Sequence, residues 1–386
     1  MNAEKDLTIS IMGWYGNDNA GDEAVLAGIL EHLKSINSIS TINVFSNKPG
    51  ETADLHHVNG LWTLPSSVFE ALNSPYLWGF RRSYLPGLLA LNKTDLCIIG
   101  GGGIIADHNP QLIDTWCGRI KSALSRSEKV CLYGVGVEPL AHSSSKRKIQ
   151  EIFPLLDLIT VRDVESKGVL EECNISNVYV TADPAFSLQL DVGTVKTNLG
   201  LKDKIVLCPV HRFKNKDEEL YGNMHRDFVV NLQKEFPARR VVIGSMFPAD
   251  AFLSKYLDDL PNFDGEVKLY KLHPNKIIQM FSQADSIVST RLHGCILGII
   301  ANVSVCPIVY DIKVMSFASL YGIKNITTEF GDGVTWANNK DTGNKLFENF
   351  INCKKIDIGR HREVLDELRK KSTDQLYQLR ELVSRP

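Results

Sequence analysis

Short, unbroken apolar runs alternate along the whole chain with stretches in which apolar residues return every three or four positions. In the first half the unbroken runs are 7–13 (LTISIMG), 41–46 (TINVFS), 95–100 (DLCIIG), 130–137 (VCLYGVGV), 157–162 (DLITVR) and 177–181 (NVYVT). Strands covered on both faces of a parallel sheet read this way. Helices are predicted between them at 22–36, 111–126 and 144–153; in 22–36, Val25, Leu26, Ile29, Leu30 and Leu33 make one apolar face. The second half repeats the pattern, with strands predicted at 204–210, 240–244, 285–289 and 304–310 and helices at 225–236, 249–259, 274–283 and 291–302. Such alternation predicts an α/β protein of parallel sheets with crossover helices. The polar stretch 188–203, with Gly193 and Gly200, marks a boundary. The expected organisation is one Rossmann-like domain over 1–190, a second over 200–357, and a C-terminal helix over 358–386. In that helix Leu365, Leu368, Leu376, Leu379 and Leu382 are the apolar positions, expected to pack over one or both domains. Two such domains in series imply an interdomain cleft, and ligands of these sheets bind outside the carboxyl ends of the strands.

Composition narrows the function classes. The chain has 386 residues, with 43 Lys and Arg against 45 Asp and Glu. That balance argues against a general polyanion binder, and no nucleic-acid partner is expected. None of the eight cysteines forms a CxxC pair, and most stand in apolar runs, so free buried thiols and a reducing compartment are expected. The N-terminus, MNAEKDLTIS, lacks the apolar core of a signal peptide, and no stretch reaches the roughly 18 apolar residues of a membrane span. A cytoplasmic location is therefore expected.

Three loops after strands carry candidate chemistry. The first runs from Gly13 to Glu23 (GWYGNDNAGDE) and opens a helix. It is not a GxGxxG fingerprint, and Asp18, Asp22 and Glu23 disfavour a phosphate, whereas Asn17, Asn19 and Asp22 suit a polyhydroxy ligand such as a sugar. The plain alternative is a glycine turn with Asp22 as a helix cap. The second is the tetraglycine loop Gly100–Gly103, followed by Ile104, Ile105, Ala106 and Asp107. Four consecutive glycines are entropically costly and fit a backbone approached by a ligand or by another loop. The third is Ser289-Thr290-Arg291-Leu292-His293-Gly294. Ser289 or Thr290 is placed to cap the following helix, which puts Arg291 in its first turn, against the helix dipole. An anionic ligand would compensate it, with the His293 imidazole alongside to move a proton. Arg162, Arg212 and Lys313 also follow predicted strands. Singly each reads as a surface charge; together with Arg291 they make a pocket for a small, multiply charged anion.

Taken in order, GWYGNDNAGDEAVL, GGGGIIAD, VRDVESKGVL, TADPAF, STRLHG and YDIKV resemble the polysaccharide pyruvyl transferase family, over residues 13 to about 315. The resemblance implies two Rossmann-type domains of the glycosyltransferase-B kind. It implies transfer of the enolpyruvyl unit of phosphoenolpyruvate onto a saccharide diol, giving a cyclic pyruvate ketal and phosphate. Carried over by motif, His293 is the expected general acid, with Arg291, Lys313 and Arg162 on the donor; Arg212 joins them by position. Gly16, Asn17, Asn19, Asp22, Gly102 and Gly103 would face the acceptor. Two departures stand out: GVGVEPL lacks the polar residue often found between its glycines, and YDIK has Ile312 where proline is common. The resemblance implies no cofactor beyond the donor substrate and no metal.

Two other readings stay open: a nucleotide-sugar-dependent glycosyltransferase of the same architecture, and a non-catalytic sugar-binding protein. The segment 76–89 (YLWGFRRSYLPGLL), with Arg81 and Arg82 among aromatics, reads either as packed on the first domain or as a peripheral contact with a membrane presenting a lipid-linked saccharide.

Overall fold

The structure is a computed structural model that describes residues 6–65, 84–191, 200–212, 216–322, 328–329, 341–355 and 358–384. The chain divides into two compact units: Met1–Asn17, Asp22–Ser187 and Leu368–Pro386 form the first, and Asp18–Gly21 with Leu188–Glu367 the second.

The first unit is built on seven strands: β1 (Leu7–Tyr15), β2 (Ile39–Ser46), β3 (Asn59–Trp62), β4 (Leu96–Gly100), β5 (Lys129–Val135), β6 (Leu158–Val161) and β7 (Tyr179–Val180). They pair in parallel in the order β3-β2-β1-β4-β5-β6-β7. Side chains alternate between two apolar layers, as the pleat requires. Ile9, Ile11, Leu96 and Ile98 pack with the helix 20–33 face (Val25, Leu26, Ile29) and with Leu379 and Leu382. Met12, Cys97 and Ile99 pack on the other side with Trp116, Ile120 and Ile149.

The second unit repeats the plan with β8 (Lys204–Cys208), β9 (Arg240–Ser245), β10 (Phe263–Lys268), β11 (Ser286–Ser289), β12 (Ser304–Val309) and β13 (Thr328–Glu329). Their order is β10-β9-β8-β11-β12-β13, again all parallel. One face carries the core of Leu207, Tyr221, Phe228, Ile243, Val288, Ile308 and Phe350. On the other lies helix 292–300, drawn close because Gly298 faces Val305 and Ile287. Each sheet therefore has one point where strand order reverses, between β1 and β4 and between β8 and β11. Those reversals put the carboxyl ends of these four strands at the ligand position of such sheets.

The α/β class and the predicted strands are present. Three strands escape the apolar-run criterion: β3 (NGLW), β10 (FDGEVK) and β13. All are outermost in their sheets, and β3 and β10 have no fully buried residue, so they lack unbroken apolar runs. The predicted helix 249–259 is a 3₁₀ turn, Pro248–Leu253, followed by one α-turn, Ser254–Leu257. In the C-terminal helix Leu365, Leu368, Leu379 and Leu382 are buried, but Leu376 is half-buried; Ser372 and Gln375 are buried instead. All eight cysteines are buried and unbridged. Arg81 and Arg82 lie outside the described residues. Among the described residues no helix is long and apolar enough to cross a membrane.

Candidate functional site

At the reversal point of the second sheet, β8 runs into Pro209–Arg212 and β11 into Thr290–His293. The helix after β11 spans Leu292–Ile300, so Arg291 is its N-cap residue and not part of the first turn. Neither Ser289 nor Thr290 caps it. Ser289 Oγ donates to the Arg291 carbonyl (2.7 Å), and Thr290 Oγ1 bonds the Tyr221 hydroxyl (2.6 Å). The compensation expected from a ligand is supplied first by the chain itself: the Arg291 guanidinium meets the fully buried Asp250 carboxylate through two nitrogens, with Nε at 3.0 Å from Oδ2. Nε also donates to the Pro209 carbonyl (3.1 Å), and the guanidinium lies 5.7 Å from the Phe247 ring centre. A bidentate pair with one buried partner fixes direction more than it adds stability.

Two predicted donor residues gather around one aromatic ring. The Arg212 guanidinium carbon lies 5.8 Å from the Tyr310 ring centre, and Lys313 Nζ lies 5.7 Å from the same centre. Burial pushes the Tyr310 phenol above its ordinary range, while the charges of Lys313 and Arg291 pull the other way. Lys313 also pairs with Asp311 (2.9 Å), whose other oxygen caps helix 312–320 at Val314 N–H (3.2 Å). Among the described residues no carboxylate pairs with Arg212, which is exposed. The cation least supported by a sequence motif is thus the one with the least local compensation.

His293 is half-buried, the second residue of its helix. Its imidazole faces Gly21, where a methyl group would stand 2.5 Å from Nδ1. The loop tip 18–21 belongs to the second unit: Ala20 N–H donates to the Met246 carbonyl (2.9 Å), and Asp18 pairs with Lys271 (3.0 Å). Asn19 Oδ1 accepts from Gly21 N–H (3.1 Å), so Asn19, rather than Asp22, caps helix 20–33. The structure therefore brings Gly21, two residues after Asn19, against His293.

The remaining predicted residues lie in the first unit. Gly16 N–H donates to Glu23 Oε1 (2.9 Å), and the buried Glu23 also holds His56 (2.8 Å). The Asn17 amide donates to the Trp14 carbonyl (3.0 Å) and accepts from Asn47 (2.8 Å). Both residues thus build the loop. Gly101 and Gly102 adopt φ of 67° and 72°, the left-handed region that glycine favours, and Gly101 lies against Val25. A Cβ on Gly102 would stand 3.0 Å from Asp22 Oδ1, and one on Gly103 would stand 3.6 Å from Glu138 Oε1. Asp22, Gly102 and Gly103 therefore come together at the reversal point of the first sheet, with Glu138, which pairs with His108 (3.4 Å). Arg162 is buried there against Gly136 and pairs with Asp163 and Asp183, both at 3.3 Å. Sequence reasoning missed Asp250, Glu138 and Tyr310. Glu138 stands in GVGVEPL and Tyr310 in YDIKV, but the neighbours of each in space come from separate segments.

Solved structures with the same fold include the UDP-GlcNAc 2-epimerase from Neisseria meningitidis bound to UDP-GlcNAc, 14% identical, at a TM-score of 0.60 over 97% of this chain and 99% of that one. The Methanocaldococcus jannaschii UDP-GlcNAc 2-epimerase, in complex with UDP-GlcNAc and UDP, is 12% identical, at 0.58 over 91% and 94%. The S. aureus MnaA–UDP structure is 12% identical, at 0.60 over 99% of both chains. At such identities the likeness establishes the fold, which is the glycosyltransferase-B kind. No curated protein matches the sequence. Residues 19–312 match the polysaccharide pyruvyl transferase family, and with most of its length so matched the chain belongs to that family.

Proposed function

We propose that the protein transfers the enolpyruvyl unit of phosphoenolpyruvate to two hydroxyls of a saccharide, forming a pyruvate ketal and releasing phosphate. The observation that carries this reading is the grouping of Arg212 and Lys313 on Tyr310, within reach of the Arg291 charge, where the second sheet reverses. A donor bearing a phosphate and a carboxylate suits a cationic site of this kind. His293 donates a proton to the methylene carbon, which becomes the methyl group. The central carbon turns electrophilic, and the first hydroxyl adds to it. The carbon–oxygen bond to phosphorus then breaks, and the second hydroxyl closes the ring. Of the two hydroxyl protons, one leaves with hydrogen phosphate and the other restores the acid, so three negative charges on the donor become one on the ketal and two on phosphate. Asn19, on the same loop tip as Gly21, faces the acceptor in this reading. The acceptor is a saccharide, lipid-linked where the enzyme works at a membrane.

Phosphate release from phosphoenolpyruvate, measured over a panel of saccharides with the product mass read for the ketal, tests the reading. His293→Gln is expected to lower turnover at least roughly a hundredfold, with donor KM little changed. Wild-type turnover in that variant would remove His293 from the role. Nucleotide release from an activated sugar, with phosphoenolpyruvate inert, would favour a nucleotide-sugar donor instead.

A further inference from the structure

Two cations, Arg212 from the loop after β8 and Lys313 from the helix after β12, sit almost equally far from one aromatic ring, at 5.8 and 5.7 Å. Arg212 lacks a carboxylate partner among the described residues, so some other feature must hold its guanidinium before an anion arrives. The negative face of an aromatic ring does so: it attracts a cation within about 6 Å of its centre, and more strongly where water is partly excluded. Tyr310 meets that condition for both residues, and it is half-buried at the end of β12, an interior strand of the sheet. The strand that leads into it is held by ladders on both sides, while the cations arrive on a loop and on a helix.

We propose that Tyr310 is the positioning residue of the anion site, its ring holding Arg212 and Lys313 in place for one phosphate group. This rests on the reading of those two cations as the donor site. The ring touches the cations and acts on the ligand through them; the phenolic oxygen is not required. Preorganisation of this kind lowers the ordering cost of binding and leaves the chemical step alone.

The test uses the full-length protein and inorganic phosphate as the probe, with affinity measured by calorimetry in wild type, Tyr310→Phe, Tyr310→Leu and Arg212→Met. Tyr310→Leu is expected to weaken phosphate binding about tenfold, the scale of losing two cation–ring contacts. Tyr310→Phe, which keeps the ring, is expected to stay within about twofold of wild type. In turnover with phosphoenolpyruvate, Tyr310→Leu is expected to raise KM with kcat little changed. Wild-type phosphate affinity in Tyr310→Leu overturns the inference, as does an equal loss in Tyr310→Phe, which would assign the effect to the hydroxyl. Absence of phosphate binding in the wild type, or no loss in Arg212→Met, overturns it as well. If Tyr310→Leu does not fold, Tyr310→Met takes its place with the same expected loss. A protein that shows this phosphate series but does not turn over phosphoenolpyruvate keeps the inference and loses the donor.

Discussion

Gly21 occupies the first turn of helix 20–33, where alanine is ordinarily the better residue by about 1 kcal/mol. What forbids a side chain there is His293, whose Nδ1, Cγ and Cβ would lie 2.5, 3.0 and 3.2 Å from the added carbon. Gly21→Ala therefore sets helix propensity against the placement of one imidazole. If His293 is the acid proposed above, the expected outcome is a melting temperature close to wild type with turnover lower by roughly tenfold to a hundredfold, the cost of moving a reacting group by about an ångström. Shifted His293 imidazole resonances would locate the cause; unchanged turnover and resonances would show that the contact does not govern the proposed acid. The glycines, the histidine and the basic residues of this site are legible as residue types after strands. Their partners are not. Asp250 stands in FPAD, a sequence without a distinguishing pattern, and only the fold places it under Arg291. Asp183 stands in TADPAF, yet nothing in that string indicates that its carboxylate lies 3.3 Å from Arg162. Charge compensation between distant segments is a tertiary fact, and a lone arginine in sequence carries no sign of it.

At the scale of elements, apolar runs mark the interior strands and one edge strand, β7, while the edge strands β3 and β10 are missed because sheet edges need no such runs. The C-terminal helix shows the opposite error. Its leucine spacing suggests an unbroken apolar stripe, but the buried face includes polar contacts. Ser372 Oγ pairs with His32 Nε2 (2.9 Å), and the Gln375 amide donates to Thr160 Oγ1 (3.0 Å). Leucine at 379 remains the apolar anchor, fully buried against Ile9, Ile11 and Tyr133. Leu379→Ala is expected to cost about 2–5 kcal/mol in a denaturation measurement. Tyr377, 62% exposed on the same helix, serves as the control: Tyr377→Ala should stay within about 0.5 kcal/mol of wild type. Equal effects of the two substitutions would mean that the helix does not dock through its leucine face.

Across the whole molecule, each unit holds a buried histidine kept neutral by its surroundings. In the first, His32 lies between Tyr133 and Ser372, and burial lowers its pKa to about 4 against a weaker opposing pull from Glu31. In the second, His225 bonds the Tyr221 carbonyl (2.9 Å), and burial again lowers its pKa to about 4. The unfolded chain binds a proton at each of these residues near pH 6.5, the folded one only near pH 4. Their stability is therefore complete above pH 6.5 and falls as pH drops toward 4, because the unfolded state takes up the protons first. Each histidine should remove about 1 kcal/mol per pH unit across that window. Denaturant titrations at a series of pH values test this. The slope of stability on pH should fall by about one such increment in His32→Gln and by another in His225→Gln, whatever either substitution costs at pH 8. The two increments should add, since the residues lie in separate units and share no partner. An acid limb as steep in the double variant as in wild type would place the titrating groups elsewhere, among the carboxylates whose pairing the fold also demands.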